Sequence, residues 1–389
     1  MTDTDSDGLT HLYSETVRAT MDGGTYGAWR SIAGADAVPL SFGFPYPDSF
    51  PNDALVESAE ALFAAEGDCA LQYGGGEYAD ALPELIASRA RDRGIACTAD
   101  EIHLTNGATN AIDTVCQTFL DPGDAVFVEG PTFMGALRLF RNYDVEIAAF
   151  DVDEDGLDVE AVAETLPTLL YTIPTFHNPT GVTLTADRRA RLLELAETYD
   201  FVILEDDPYG QLRFDGTEPA PIKALDESGR VVRVNTFSKT IAPGVRTGWT
   251  IADEAITAQF DRINAGGEPS FTRGLITKYA EDGRLDRAIE ALCAGYEPRR
   301  DQLLESLEAR MPPGTTWSEP DGVDAETMLD DAIDRGVTYL PGTFFYPDDR
   351  GAGHARVSFS HTTPEAIDEG IAALAGAVEA AMPTAEADD

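Results

Sequence analysis

Lysine is almost absent from this chain: Lys223, Lys239 and Lys278 are its only examples in 389 residues. Cations of any kind are scarce, with 27 Lys and Arg against 70 Asp and Glu and a formal net charge of −43. A field of that sign repels nucleic acid and anionic lipid, so neither is expected as a partner. Cysteine is sparse too. Cys69, Cys97, Cys116 and Cys293 form no Cys-x-x-Cys pair and no regular spacing, which argues against a disulfide framework or a metal site and leaves buried free thiols as the expectation. No run approaches the ~18 apolar residues of a membrane span, and the acidic opening Met-Thr-Asp-Thr-Asp-Ser-Asp-Gly lacks the basic-then-apolar pattern of a leader. A cytoplasmic protein without membrane contact is expected. There is no internal repeat, low-complexity tract or Gly/Ser linker. No basic helix-turn-helix segment precedes the rest, which disfavours a fused DNA-binding regulator.

What is present is ample apolar material, 43% of the chain, at a length that exceeds one ordinary core. Short branched runs at Ile102–Leu104, Val126–Val128, Leu169–Ile173, Phe201–Leu204 and Val231–Val234 alternate with amphipathic stretches such as Ala108–Phe119 and Ala186–Tyr199. Strands alternating with helices imply crossovers and a mostly parallel sheet covered on both faces, a three-layer α/β/α domain. The last hundred residues read differently, with helices at Ala325–Arg335 and Pro364–Ala381 and a strand around Ala355–Ser360. They predict a smaller α+β domain that also takes in the first 40 or so residues.

Each apolar run ends in polar and aromatic residues: Thr105-Asn106-Gly107-Ala108-Thr109, Glu129-Gly130-Pro131-Thr132-Phe133, Phe176-His177-Asn178-Pro179-Thr180-Gly181, Glu205-Asp206-Asp207-Pro208-Tyr209-Gly210 and Asn235-Thr236-Phe237-Ser238-Lys239. The carboxyl ends of strands in an open α/β sheet are where ligands bind, so one shared site is the economical reading. Lys239 stands out in a protein that avoids lysine, whereas Lys223 and Lys278 read as solvated side chains. A Pro243-Gly244 turn would bring Arg246 back beside Lys239. An amine flanked by hydroxyls and a guanidinium suits a phosphorylated aldehyde, the amine forming an imine and the others binding phosphate. The helix opening at Ala108 and Thr109 offers amides to the same phosphate. Asp206 suits a protonated ring nitrogen or a plain helix cap, Phe133 a stacking or a core role, and Asn178 a ring-oxygen donor or an Asx turn.

The run from Thr236 to Gly248, Thr-Phe-Ser-Lys-Thr-Ile-Ala-Pro-Gly-Val-Arg-Thr-Gly, resembles the pyridoxal phosphate lysine motif of the class I/II aminotransferases, fold type I, and most closely the 2-aminoadipate/aromatic aminotransferase branch. Similarity extends in order through Leu40–Gly43, Leu71–Tyr78, Thr105–Val115, Val128–Leu137, Ile173–Gly181, Leu204–Gly210, Asn235–Gly248, Gly336–Gly342 and Arg356–Ser360. The resemblance implies that Lys239 binds the cofactor's aldehyde and then shuttles a proton, that Asp206 keeps the ring nitrogen protonated, and that Tyr209 and Asn178 bond the ring's phenolic oxygen. It gives Phe133 the stacking position, and Ala108, Thr109, Thr236, Ser238 and Arg246 the phosphate. Tyr73 would reach the cofactor phosphate of a neighbouring subunit, which implies a homodimer with shared sites. Arg356 would clamp the substrate α-carboxylate, with Gly43 and Asn178 also on the substrate side. Arg30 matches a position that recognises acidic substrates in some relatives, although a solvated arginine is the plainer reading.

The implied reaction is ping-pong transfer of an amino group between an amino acid and a 2-oxo acid. The alternatives are a lyase or decarboxylase on the same fold, or a catalytically impaired cofactor-binding remnant. The last is motivated by the Trp317–Ala325 junction, where about one family strand is missing; the glycine segment Ser41-Phe42-Gly43-Phe44-Pro45 is shortened as well. The expected organisation is residues 1–45 as an N-terminal segment packed with the small domain, 46–285 as the large cofactor-binding domain, and 286–389 as the small domain lacking a strand near residue 320.

A carboxylate-rich surface with three lysines resembles that of proteins from salt-loaded cytoplasm, so a halophilic source is expected. With a charge of −43, the thermal midpoint should climb with potassium chloride toward molar concentration, where the Debye length is about 3 Å and self-repulsion is screened. A midpoint that stays flat across that range would assign the acidic surface another purpose.

Overall fold

A computed structural model describes residues 10–14, 18, 32, 35–163, 165–264, 267–313, 315 and 323–382. Among these, the strands are β1 (Val38–Pro39), β2 (Ile102–Thr105), β3 (Ala125–Gly130), β4 (Glu146–Asp153), β5 (Gly156–Leu157), β6 (Leu169–Thr172), β7 (Val202–Asp206), β8 (Val231–Thr236), β9 (Gly248–Ile251), β10 (Val337–Thr338), β11 (Leu340–Pro341) and β12 (Ala355–Arg356). The helices that matter below are α1 (Asn52–Glu66), α2 (Leu82–Asp92), α3 (Ala108–Phe119), α4 (Met134–Arg141), α5 (Ala186–Tyr199), α6 (Ser270–Ala280), α7 (Arg284–Arg310) and α8 (Pro364–Ala381).

Eight strands form one sheet in the order β2-β9-β8-β7-β6-β3-β4-β5. The run β8-β7-β6-β3-β4 is parallel throughout, while β9 lies antiparallel between β2 and β8, and β5 turns back on β4. Strands β2, β6 and β8 are buried along their whole length because helices cover both faces. On one face Ala111, Ile112 and Val115 of α3 and Leu137 and Phe140 of α4 pack on Val126, Val128, Tyr171, Val232 and Val234. On the other, Leu192, Leu193 and Ala196 of α5 meet Phe127, Leu170, Ile203 and Val231. Each fully buried large aliphatic contributes roughly 1.5–3 kcal/mol, so these stripes fix the helices against the sheet.

A further core gathers Leu40, Leu329, Val337, Tyr339, Leu340, Phe345, Ile367, Ile371 and Leu374. It is bounded by two short ladders, β1 with β10 (parallel) and β11 with β12 (antiparallel). Helix α7 joins the cores as one 27-residue rod: Leu285 packs with the sheet side, and Leu303 and Leu307 with the smaller core. A continuous helix crosses where a linker would stand, which is why no linker is visible in the sequence.

Several expectations need correction. Strands β4 and β9 were not anticipated. Strand β4 is a half-exposed strand near the sheet's edge, without the continuous apolar run of its neighbours. Strand β9 opens at Gly248, where a Cβ would stand 2.6 Å from the Gly107 carbonyl carbon. The expected helix Ala325–Arg335 is α-helical only over Leu329–Asp334, because the Asp324 side chain accepts from Glu326 N and Thr327 N and turns the chain first. The expected strand at Ala355–Ser360 ends at Arg356. Beyond it, Ser358 N donates to Leu40 O at 2.8 Å and Ser360 Oγ to Phe44 O at 2.8 Å, tying the chain to the 40–44 segment. Of the four free thiols, Cys69 is exposed and Cys293 half-buried, so only Cys97 and Cys116 are buried. Nor are the other lysines merely solvated: Lys223 pairs with buried Asp226 at 3.0 Å, and Lys278 with Glu281 at 2.7 Å. Arg30 and residues 316–322, most of the Trp317–Ala325 junction, lie outside the described residues.

Under the sheet, Arg233 of β8 bonds both Glu205 of β7 and Asp207 just after it, all three almost fully buried. Arg233→Met should destabilise the protein by about 3–5 kcal/mol, since it leaves buried carboxylates uncompensated. Denaturant unfolding measures this; a loss under ~1 kcal/mol would mean water or Arg93 replaces the missing cation.

Candidate active site

Strands β3, β6, β7 and β8 all run the same way, so their carboxyl ends converge on one cleft. Strand β7 ends in Glu205 and Asp206 and runs on into Asp207, and the extended backbone sends these three acids to alternate faces. Glu205 and Asp207 meet Arg233 on one face. Asp206 points the other way, 3% exposed, with no cation contact among the described residues. Its Oδ2 accepts the Tyr171 hydroxyl at 2.8 Å, while Oδ1 is buried without any partner. Burial pushes the Asp206 carboxyl up to about 7, against the pull of the Tyr171 hydrogen bond.

Lys239 follows β8 and turns its amine across the cleft to donate to Gly43 O at 2.8 Å. The same amine lies 5.9 Å from the Tyr209 ring centre. Desolvation, aided by the charge of Arg356, lowers the Lys239 amine from the ordinary 10.5 to about 8. Arg356 comes from β12 and donates to Asn178 Oδ1 at 3.0 Å and to Ser41 O; its Nε is buried and unpartnered. Burial lowers Arg356 to about 10. The Tyr209 hydroxyl is pushed up to about 12 by burial, with Arg356 and the Asn178 side chain pulling it down. Gly43, Asn178, Asp206, Tyr209, Lys239 and Arg356 are thus brought to one place.

The remaining candidates form a second pole at the start of α3. Gly107 precedes this helix at φ 86°, and no side chain caps it. The Arg246 guanidinium folds over that end, donating to Asn106 O at 2.9 Å and lying where a Gly107 Cβ would be, 2.6 Å from Nη2. Thr236 pairs with Gly248 across β8 and β9, and Gly248 lies against the Gly107 and Ala108 backbone. The Thr236 and Ser238 hydroxyls are 2.9 Å apart. Ala108 and Thr109 open α3 with their amides directed outward along its axis. This pole therefore concentrates donors and positive potential, which suits a phosphate. Phe133 precedes α4 and folds its ring over Gly135, where a Cβ would be 2.4 Å from Cζ.

Tyr73 is not in the cluster. It is 98% exposed in the single chain.

Residue-by-residue reading missed Tyr171, Ser41 and the buried pair Glu129 and His177. Tyr171 looked like any aromatic in a two-face-buried strand, and only the register that pairs it with Leu204 sets it on the same face as Asp206. Ser41 acts through its carbonyl, which sequence does not mark. His177 stands 3.1 Å from Glu129, whose carboxylate also takes Thr172 Oγ1 and Ile173 N. The adjacency of His177 to Asn178 was the available signal.

The sequence model of the family Aminotransferase class I and II matches residues 36–374. Aromatic-amino-acid aminotransferase 1 of Thermococcus litoralis is 36% identical over 372 residues, 90% of this chain and 89% of that protein. The 2-aminoadipate transaminase of Thermus thermophilus is 29% identical over 363 residues, 87% and 90% of the two chains. Among solved structures, the Pyrococcus horikoshii kynurenine aminotransferase superposes with a TM-score of 0.91 at 33% identity, covering 97% of this chain and 99% of that one.

Labelling by an amine-selective reagent, read peptide by peptide, should rise at Lys239 through about pH 8, because the neutral amine reacts. Lys223 and Lys278, each ion-paired, serve as internal controls. Arg356→Gln removes a neighbouring positive charge and should move the Lys239 midpoint to higher pH. An unmoved midpoint would show that the two cations do not interact.

Proposed function

The chain belongs to the class I and II aminotransferases, pyridoxal phosphate enzymes that move an amino group between an amino acid and a 2-oxo acid, and from that membership we propose the roles of its site residues. The cleft fits the cofactor on its own chemistry. A buried carboxylate oxygen without a partner calls for a protonated ring nitrogen, and a helix start with a guanidinium and two hydroxyls calls for a phosphate. When bound, pyridoxal phosphate supplies an electron sink for the pair released at the substrate Cα.

Asp206 Oδ1 would hold a proton on the ring nitrogen. Tyr209 and Asn178 would donate to the phenolic oxygen, Phe133 would pack on the ring, and the amides of Ala108 and Thr109 with Thr236, Ser238 and Arg246 would bind phosphate. Lys239 Nζ, whose lowered pKa of about 8 leaves much of it neutral near that pH, would hold the aldehyde and serve as the base that takes and returns the substrate Cα proton. Arg356 receives the substrate α-carboxylate with its buried Nε, already fixed in direction by Asn178 and Ser41. Gly43 closes the substrate side.

We further propose aromatic amino acids and their 2-oxo acids as substrates. Phe42 and Phe44 flank Gly43 and stack 4.9 Å apart at 9°, with His361 edge-on to Phe44. Two relatives named above act, by their names, on aromatic amino acids and on kynurenine. The chain divides, on this reading, into 1–45, a cofactor-binding domain over 46–285, and a small domain over 286–389. A homodimer is proposed as well: exposed Val56, Phe63, Leu71 and Tyr73 fall on α1 and the adjoining turn, an apolar face suited to a second copy. Tyr73 would then reach the partner's phosphate.

The observation that carries the site assignment is the Lys239 amine held on Gly43 between Tyr209 and Arg356. Lys239→Ala should replace the absorption band of the lysine-bound cofactor with that of the free aldehyde, retained by the phosphate contacts, and abolish transfer. Arg356→Ala should cost about 2–5 kcal/mol in kcat/KM for amino acids and little for amines without a carboxylate. Equal losses for both would mark a folding defect. A substrate panel in half-reactions should favour phenylalanine, tyrosine and tryptophan over aspartate; the reverse order rejects the aromatic assignment, and release of ammonia and a keto acid without an acceptor would reveal elimination.

A further inference from the structure

Asp206 is one of three successive buried acids, and it alone pairs with no cation among the described residues; what it has is the hydroxyl of Tyr171. Tyr171 is fully buried in the middle of the sheet, edge-on to Phe140 of α4 at 5.6 Å. Its partner in the ladder is Leu204, two residues before Asp206, so both side chains leave the sheet on one face. The phenol reaches forward along the strand and donates to Oδ2 at 2.8 Å, which leaves Oδ1 as the buried oxygen with no partner. A hydroxyl bound to a carboxylate in a dry site does two things: it favours the ionised acid, and it fixes which oxygen is free.

We propose that Tyr171 is a positioning residue of the transfer reaction, holding Asp206 by Oδ2 so that Oδ1 stays charged and aimed at the cofactor's ring nitrogen. The proposal rests on the assignment of Asp206 made above. Burial raises the Asp206 carboxyl to about 7, and the Tyr171 hydrogen bond is the first influence opposing it. Asp207 just beyond the strand and Glu129 on β3 raise it further, Arg233 on β8 lowers it, and the Tyr209 hydroxyl interacts with it from the following loop. Without the Tyr171 hydroxyl the proton shared between Asp206 and the ring moves toward Asp206. The ring nitrogen then loses its proton at lower pH, and the sink weakens.

The test uses Tyr171→Phe, with Asp206→Asn as reference, in protein reconstituted with pyridoxal phosphate carrying nitrogen-15 in the ring. Phenylalanine keeps the packing on Phe140, and thermal midpoints check that the variant folds. In Tyr171→Phe the pH at which the ring nitrogen deprotonates should fall by about one unit or more, and cofactor affinity of the apoprotein, measured by dialysis, by about tenfold, as a hydrogen bond to a charged group implies. Asp206→Asn should remove the protonated signal altogether. A Tyr171→Phe protein with the wild-type ring titration and affinity overturns the proposal, even if its thermal midpoint drops, because a purely structural tyrosine would lower only that. If Asp206→Asn also leaves the ring titration unchanged, it is the assignment of Asp206 that fails, and the role of Tyr171 falls with it.

Discussion

The site depends on a carboxylate buried without a counter-ion. Placing Asp206 in the dry end of a parallel sheet raises the cost of its charge, and the fold tolerates this because its two neighbours are neutralised on the opposite face by Arg233. Pleating does the sorting: residues 205 and 207 go down and 206 goes up. On the proposed assignment, a ligand that brings a positive ring nitrogen would complete the arrangement, since the Asp206 carboxylate would then meet a counter-ion. The phosphate pole works with opposite sign. There the start of α3, Arg246 and two hydroxyls gather positive potential, so a molecule with a cationic end and an anionic end is selected in one orientation.

Parallel strands make this economical. Three strand ends, β6, β7 and β8, bring Asn178, Asp206 and Lys239 to one cleft from segments far apart in the chain, with Phe133 following the parallel neighbour β3. Glycine serves the same end at two points. Gly107 lets Arg246 lie on the helix start, and Gly248 lets β9 begin against that helix. A Cβ at either would separate the phosphate pole from the sheet.

Much of this could be read from residues in order. The α/β alternation, α3, α5 and α8 were legible because buried strands show as apolar runs and amphipathic helices as periodic ones. The cluster around Lys239 was legible because motifs follow the strands that place them. What escaped was whatever depends on register or on backbone atoms. Tyr171 needs the β6–β7 alignment to become a partner of Asp206, and Gly43 and Ser41 act through carbonyls that any residue would carry. The strand at Arg356 was legible, but its short extent and its partner β11 were not, because beyond Arg356 the chain is held by a tie to the 40–44 segment.

That tie explains how two cations share a site. Ser41 O holds Arg356 and Gly43 O holds Lys239, so a single short segment keeps both charges in one cleft. Their repulsion is part of what keeps the Lys239 amine down near 8. On the proposed assignment, a substrate carboxylate at Arg356 would neutralise that neighbour and remove the repulsion. The lysine amine would then be a stronger base, suited to accept a proton from the substrate Cα. Substrate recognition and base strength would on that assignment be coupled through one guanidinium. A molecule without a carboxylate would forfeit both the clamp and the rise in basicity, so the proposed site would discriminate by reactivity as well as by affinity.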